Sequence, residues 1–242
     1  MTTGYVGPNG QWITFQEAGQ GSGGSPGSIV SSMLWAARPT PAAALGQILR
    51  FTDVGGGNPG PSGGLFLWSN GTRYRPIGGA VALDEVDTPN VGLANTLEQQ
   101  LNPNHVAIPA GLLQDFDRIR LRISASKNGS SDSATIRLRY GPLGTAADAL
   151  IATIPAPAVA NQSFGVMIDF KRLSNTSWRQ LGNADPSQSM LGSSTGAPAS
   201  AVTVANMDTN AMFLSITMQM TVGSEIPTLQ DFSMEWSASD NT

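Results

Sequence analysis

The fold is decided by two neighbouring stretches, RIRLRIS at residues 118–124 and IRLRY at residues 136–140. In both, every second residue is large and apolar, and most of the residues between them are arginines. Successive side chains of a β-strand point to opposite faces of the sheet, so this alternation gives one apolar face and one charged face. The two stretches therefore predict strands of a sheet that is buried on one side only.

The same period of two recurs toward the C-terminus, between segments rich in turn residues. The apolar positions are Phe164, Val166, Ile168 and Phe170; Met212, Leu214, Ile216, Met218, Met220 and Val222; and Phe232, Met234 and Trp236. Long amphipathic helices are not indicated, and residues 94–100 favour at most one short helical turn. Repeated alternating strands are typical of an antiparallel sandwich. We therefore predict an all-β chain with a jelly-roll-like β-sandwich over residues 81–242.

A smaller β unit is predicted over residues 43–80. Two apolar stretches, 47–54 and 65–68, are followed by Asn70-Gly71 and a returning strand at 73–77. An Asn-Gly pair predicts a two-residue hairpin turn in which both residues have positive φ. Since a three-stranded meander of this size is marginal alone, we expect it to dock on the next domain or on copies of itself.

Residues 1–42 have a different composition from the rest. A Gly/Ser-rich spacer at 19–28 separates two short apolar pieces, 12–15 and 29–35, and prolines follow. Such a segment cannot form its own core, so it is either a disordered tail or an extended arm that lies along a partner. We favour the anchoring arm. Its candidate attachment residues are Trp12, Phe15, Met33, Leu34 and Trp35.

Composition narrows the class of protein. Only 12% of the 242 residues are charged, against roughly 25% in ordinary domains. Eleven of the 13 basic residues are arginine, the cation favoured at protein interfaces. The net charge of −4 and the pI near 4.9 disfavour nucleic acid as a partner. The absence of cysteine excludes disulfides and Cys-ligated zinc.

Targeting signals are not predicted either. The first ten residues lack the basic and apolar regions of a signal peptide. Apolar runs stay well below the ~20 residues that a membrane helix needs. We therefore expect synthesis in a cytoplasm and no membrane insertion.

Few residues are candidates for catalysis or metal binding. His105 is the single histidine, lies in a turn-like segment and has no G-x-S-x-G motif to pair with. Acidic residues cluster at 84–87 and 115–117, with Asp148 and Asp169 apart. A glycosidase carboxylate pair or a Ca²⁺ site could use such acids, but loop acids that pair with arginine are the simpler interpretation. We predict no catalytic residue, no cofactor and no metal.

The arginines are the strongest polar feature. If the strands that hold Arg118–Arg122 and Arg137–Arg139 pair through a hairpin at 127–132, five arginines share one sheet face. Like charges side by side on a sheet are unfavourable unless anions separate them. Two readings remain open: an interface to acidic partners, or an outer face with local Asp/Glu pairing. The five residues are Arg118, Arg120, Arg122, Arg137 and Arg139.

Two segments carry a resemblance to a known class of protein. FLWSNGTRYRPIGG at residues 66–79 resembles a hairpin of tailed-bacteriophage fibre and head-decoration proteins, in which a Trp-x-Asn-Gly-Thr-Arg-Trp/Tyr-x-Pro segment precedes a β-sandwich. Residues 119–141 are similar to the jelly-roll-like domains of the same virion proteins. The resemblance covers about residues 45–240.

The resemblance implies an oligomeric virion component, commonly a homotrimer, assembled in the host cytoplasm and without catalytic residues. The leading hypothesis is a capsid decoration (cement) or head-fibre subunit attached through its N-terminal arm to other virion proteins. A second is a short tail-fibre or baseplate subunit that binds host-surface glycan. A third, from another class, is a polysaccharide hydrolase.

Overall fold

The computed structural model shows an all-β protein. It describes residues 4–6, 12–14, 31–54, 65–77, 80–86, 88–103, 107–129, 134–156, 161, 163–183 and 201–239. Within these ranges the backbone forms β-strands and one 3-10 helix at Trp35–Ala37, without any α-helix. The predicted fold class, an antiparallel β-sandwich preceded by a small meander, is confirmed. No helix in the described ranges is long and apolar enough to cross a membrane.

The chain divides into two compact units. The first comprises residues 1–54 and 58–79, and the second residues 80–242 with 55–57. The strands of the first unit are β1 (Gly4–Val6), β2 (Trp12–Thr14), β3 (Ser31–Met33), β4 (Ile48–Phe51), β5 (Leu65–Ser69) and β6 (Tyr74–Pro76).

The first unit contains a four-stranded sheet in the order β3-β4-β5-β6. Strands β4, β5 and β6 are the antiparallel meander that the sequence predicts. Strand β3 adds to its edge in parallel, with Ser31 opposite Leu49. The sequence analysis assigned this strand to the arm, because a parallel pairing between distant segments has no local signal.

Three aromatic rings form the core of the first unit. Trp35 lies edge-on to Phe51 and Tyr74, with ring centroids 4.9 and 5.8 Å away. The Tyr74 hydroxyl donates to the carbonyl of Pro39, and the Ser69 hydroxyl donates to that of Pro41, both at 2.6 Å. The proline-rich segment is therefore held on the sheet. The four-stranded sheet therefore begins at Ser31, within the segment that the sequence assigns to the arm.

The hairpin between β5 and β6 differs in detail from the expected turn. Gly71 has a φ of +91°, whereas Asn70 is not among the described non-glycine residues with positive φ. The Asn70 side-chain oxygen instead accepts hydrogen bonds from the backbone N–H groups of Thr72 (3.0 Å) and Arg73 (2.9 Å). The expectation of positive φ at both residues was thus wrong, because asparagine stabilises this turn through its side chain.

Replacing Gly71 by Ala should destabilise the first unit by about 1–2 kcal/mol, because an alanine at this φ is strained. Its Cβ would also lie 3.1 Å from Leu45 Cδ1. Gly46→Ala is the matched control, since Gly46 has a φ of +74° and no atom within 4 Å of an added Cβ. In thermal unfolding followed by near-UV circular dichroism, the Tm of Gly71→Ala should be equal to or lower than that of Gly46→Ala. Two variants as stable as wild type would contradict this account of the turn.

The second unit is built from eleven described strands. They are β7 (Ala80–Val86), β8 (Asn90–Val91), β9 (Gln99–Gln100), β10 (Arg118–Lys127), β11 (Ala134–Gly141), β12 (Ala149–Ala156), β13 (Ser163–Ser174), β14 (Ser177–Asn183), β15 (Val202–Thr203), β16 (Phe213–Met220) and β17 (Pro227–Ser237).

These strands form two antiparallel sheets. The larger has the order β15-β14-β13-β10-β17-β7, with β8 also paired to β17. The smaller has the order β12-β11-β16-β9. The apolar positions of the alternating stretches are buried, as predicted, except Val222, which is half-buried. The rings of Tyr140 on β11 and Trp178 on β14 meet with centroids 5.5 Å apart, which places the core between the two sheets.

The expected hairpin between β10 and β11 is wrong. Strand β10 pairs with β13 and β17, whereas β11 pairs with β12 and β16. The two strands belong to different sheets and face each other across the core. Alternation shows which face of a strand is buried, but it does not show which strand lies beside it. Two consecutive strands of a sandwich can therefore lie in opposite sheets, each with its apolar face toward the shared core.

Residues 94–100 are not helical. Residues 93–98 are irregular, and the short strand β9 follows at Gln99–Gln100. Glu98 in this segment reaches the outer face of the smaller sheet, where its carboxylate accepts a hydrogen bond from the Thr217 hydroxyl at 2.5 Å. This contact explains why Thr217, on the outward face of β16, is nevertheless buried.

Candidate interaction surfaces

The five arginines of the expected single face lie on two sheets. Arg118, Arg120 and Arg122 are exposed on β10 in the larger sheet, each next to buried residues of the core face. Arg137 and Arg139 are half-buried on β11 in the smaller sheet. The chain therefore has two separate arginine-bearing surfaces, which differ in how their charges are compensated.

Glu98 neutralises the arginines of the smaller sheet. Its carboxylate accepts two hydrogen bonds from Arg139, at 2.8 and 3.1 Å, and one from Arg137 at 3.2 Å. Burial acts to raise the pKa of Glu98, but the hydrogen bonds from Arg139 and Thr217 and the two arginine charges together hold it below its ordinary value. This surface fits local pairing within the chain.

Neutralising Glu98 should therefore destabilise the sandwich in a pH-dependent way. A carboxyl whose pKa is lower in the folded state stabilises the fold above its unfolded pKa, and this stabilisation is lost as the pH falls through the folded pKa. We expect the free energy of unfolding of Glu98→Gln to be about 1 kcal/mol lower than that of wild type at neutral pH. Below about pH 4 the two proteins should be equally stable. Urea unfolding across this pH range measures it.

Asp169→Asn is the control for that measurement, because it removes a more exposed pair. Arg120 holds Asp169 through two hydrogen bonds of 2.8 and 3.1 Å, and its own side chain is 44% exposed. Exposed ion pairs contribute little, so this variant should lose less than Glu98→Gln. If the difference in free energy of unfolding between wild type and Glu98→Gln did not change with pH, the charge of Glu98 would not stabilise the fold.

Two of the predicted arginines have no ion-pair partner among the described residues. Arg118 and Arg122 lie at either side of the Arg120–Asp169 pair on β10. Arg122 faces Met167 and Ser233 across the neighbouring strands. Arg118 instead faces Lys171 on β13. Local pairing with Asp or Glu is therefore observed for Arg120, Arg137 and Arg139. Among the described residues it is not observed for Arg118 or Arg122.

Lys171 and Arg179 are basic neighbours of Arg118 that the sequence analysis did not include. Lys171 pairs in register with Arg118 on one side and with Arg179 of β14 on the other. The three residues form what we call the basic row. Each alternates with core-facing positions on its strand, but the pairing of β10 with the distant β13, and the register across all three strands, could not be predicted from the sequence.

The candidate attachment residues of the first unit are placed unequally. Trp35 is buried and packs on this chain's own Phe51 and Tyr74. Leu34 is 55% exposed, and Met33 is half-buried on strand β3. Trp12 belongs to β2, but its side chain lies outside the described part, as do Phe15 and the Gly/Ser-rich spacer. Their attachment roles stay predictions.

A buried arginine at one end of the sandwich was also missed. Arg172 on β13 is 3% exposed at its side chain and donates to Asp115 Oδ1 at 3.0 Å and to Asp208 Oδ1 at 2.8 Å. It also donates to the carbonyl of Leu113. These contacts tie two connecting segments to the sheet, so Arg172 is a structural residue of the fold.

The acidic groupings of the sequence mostly have structural partners. Buried Asp117 accepts hydrogen bonds from the indole N–H of Trp236 at 3.0 Å and from the backbone N–H of Ser239 at 2.9 Å. Asp148 accepts from the backbone N–H groups of Leu143 and Thr145, both at 3.1 Å. His105 lies outside the described residues. Among those described, no group of three or more acidic or histidine side chains could hold a metal ion.

Comparison with known proteins gives weak similarities. The chain matches no protein-family model and no curated protein. One similar solved structure is the CBM2 module of the evolved Dit of Lactobacillus casei BL23 phage J-1, at 8% identity over 68% of this chain and 99% of that one, with a TM-score of 0.35. Another is infectious bursal disease virus Gx strain, at 11% identity over 78% and 48%, with a TM-score of 0.14. At these TM-scores neither similarity carries an argument about function.

Proposed function

We propose that this chain is a non-enzymatic structural protein of a tailed-bacteriophage virion, a capsid decoration or head-fibre subunit. In this proposal the first unit, which includes the N-terminal arm, attaches the protein to the shell. The sandwich projects from the particle or bridges neighbouring shell proteins. The working form is a homo-oligomer, a trimer.

The observation that carries the proposal is the hairpin of β5 and β6, whose sequence resembles that of phage fibre and head-decoration proteins. Its motif residues have distinct physical roles: Asn70 and Gly71 form the turn, and Tyr74 closes the aromatic core. The hairpin belongs to a compact unit separate from the sandwich. This order along the chain, hairpin unit first and sandwich second, is the order found in those virion proteins.

Exposed apolar side chains on the first unit support an attachment or oligomerisation role. Leu34, Leu45 and Phe66 are 55%, 66% and 45% exposed, although the unit is small. Large exposed apolar side chains grouped on a small unit are typical of surfaces that bind other proteins. Several weak contacts multiply when three subunits bind together, so a trimer would hold the shell more firmly than a monomer.

Quantitative mass spectrometry of purified particles tests the proposal. A decoration subunit should be present in a copy number comparable to that of the major capsid protein. A copy number comparable to that of baseplate proteins would instead support the tail-fibre alternative with a host glycan as ligand. Absence from washed particles would contradict a virion role altogether.

A further inference from the structure

The basic row places three cations side by side on the outer face of the larger sheet. Arg179 on β14, Lys171 on β13 and Arg118 on β10 occupy directly opposed positions of adjacent strands. Adjacent strands lie about 4.8 Å apart, and directly opposed side chains stand on the same face. The three charged groups therefore line up across the strands.

This arrangement is unfavourable in the isolated chain. Like charges directly opposite each other on a sheet destabilise it. Within the described residues, no carboxylate forms an ion pair with any member of the row, whereas Arg120, two residues along β10, is paired with Asp169. Arg118 and Arg179 are exposed and Lys171 is half-buried. The described part of the chain thus leaves the charge of the row uncompensated, and an acidic partner could supply the negative charge.

Phe116 holds the central cation of the row in place. Its ring centroid lies 4.9 Å from Lys171 Nζ, and the ring itself is 41% exposed. A cation over an aromatic face is attracted by the negative charge of the π-system. This contact holds the Lys171 ammonium against the Phe116 ring without neutralising its charge.

We propose that the basic row binds a cluster of carboxylates on the surface of an acidic partner protein. Arginine presents a planar fork of donors that matches a carboxylate in bidentate geometry. Two such forks flank a lysine, so the row fits two or three acidic side chains that stand close together. This interaction surface is independent of the virion role and of the first unit.

Three features favour protein carboxylates over other ligands. Lysine and arginine only donate hydrogen bonds, whereas the hydroxyl groups of a sugar need acceptors as well. The row also lies on the open face of a sheet, while small-molecule sites are concave. A long nucleic acid would meet the acidic remainder of a chain with net charge −4. A compact acidic patch touches only the row.

The test compares the full chain with a variant carrying Arg118→Gln, Lys171→Gln and Arg179→Gln. The probe is a short oligoglutamate peptide, and binding is measured by isothermal titration calorimetry at low and at physiological salt. We expect the triple variant to bind about tenfold more weakly, and wild-type binding to weaken as salt is added. The matched control is Arg122→Gln, an exposed arginine of the same strand and face that lies outside the row, and it should bind like wild type.

Two further readouts separate a binding role from a structural one. Because the substitutions remove like-charge repulsion, the triple variant should unfold at the same temperature as wild type or higher. An oligouronate, which carries carboxylates on sugars, should bind more weakly than the peptide. No binding of the peptide by wild type, equal binding by the triple variant, equal loss in Arg122→Gln or preference for the oligouronate would each overturn the proposal.

Discussion

A chain that begins at Ala80 is expected to fold as a stable sandwich and to lose attachment to phage particles. The second unit has its own core and is compact without residues 1–54. Its thermal unfolding should therefore match the sandwich transition of the full chain. Attachment should fall to background, because the first unit, with its N-terminal arm, carries the contact in the proposed function. Co-sedimentation with particles lacking the protein measures this.

A second truncation, beginning at Ser31, removes the part of the arm before β3 and keeps the four-stranded sheet of the first unit. Removing residues 1–42 would delete β3 and Trp35, and so would damage the unit as well as the arm. Starting at Ser31 retains both. If the arm contributes apolar contacts of its own, each large side chain adds on the order of 1.5–3 kcal/mol when fully buried, and this chain should attach more weakly than the full one. Full attachment of the chain that begins at Ala80 would contradict the account.

Replacing Arg172 by Met is expected to destabilise the sandwich strongly. The change keeps much of the apolar stem but removes the hydrogen bonds to Asp115 and Asp208, and it leaves the carbonyl of Leu113 without this donor. Hydrogen bonds that involve charged groups contribute about 1.5–3 kcal/mol each. Part of this loss is recovered in the variant, because water solvates the exposed carboxylates of Asp115 and Asp208. We expect a loss of about 3 kcal/mol, or a Tm lower by roughly 10 °C.

Arg120→Met serves as the control for that loss. It removes an arginine with two hydrogen bonds to one acid, but from an exposed site. Exposed pairs contribute about 0.2–1 kcal/mol, so this variant should unfold within a few degrees of wild type. Differential scanning calorimetry of both variants decides the matter. If both variants lost the same stability, the burial of Arg172 would not determine how much it stabilises the fold.

The strands could be predicted because burial on one face leaves a period of two in the sequence. Positions 119, 121 and 123, and positions 164 to 170, alternate as expected and face the core. Continuing the same parity would also have found Arg172, which follows Phe170 on the buried face of β13. Lys127 at the end of β10 obeys the same rule, and its ammonium lies 3.8 Å from the carboxylate of buried Glu225.

The pairing of the strands could not be predicted in the same way. The short connection between β10 and β11 reads like a hairpin, yet it passes from one sheet to the other. The basic row depends on the register of β14, β13 and β10, which packing of the whole sandwich sets. The sequence also does not show that Trp35 packs on Phe51 and Tyr74, because nothing near it reveals the parallel pairing of β3 with β4.

Electron cryo-microscopy of purified particles of the encoding phage tests the central claim most directly. The account predicts ordered density for this chain on the outer capsid surface, with the first unit against the shell and the sandwich further out, arranged as trimers. Density at the tail tip, or a capsid contact made by the sandwich while the first unit points into solvent, would contradict it.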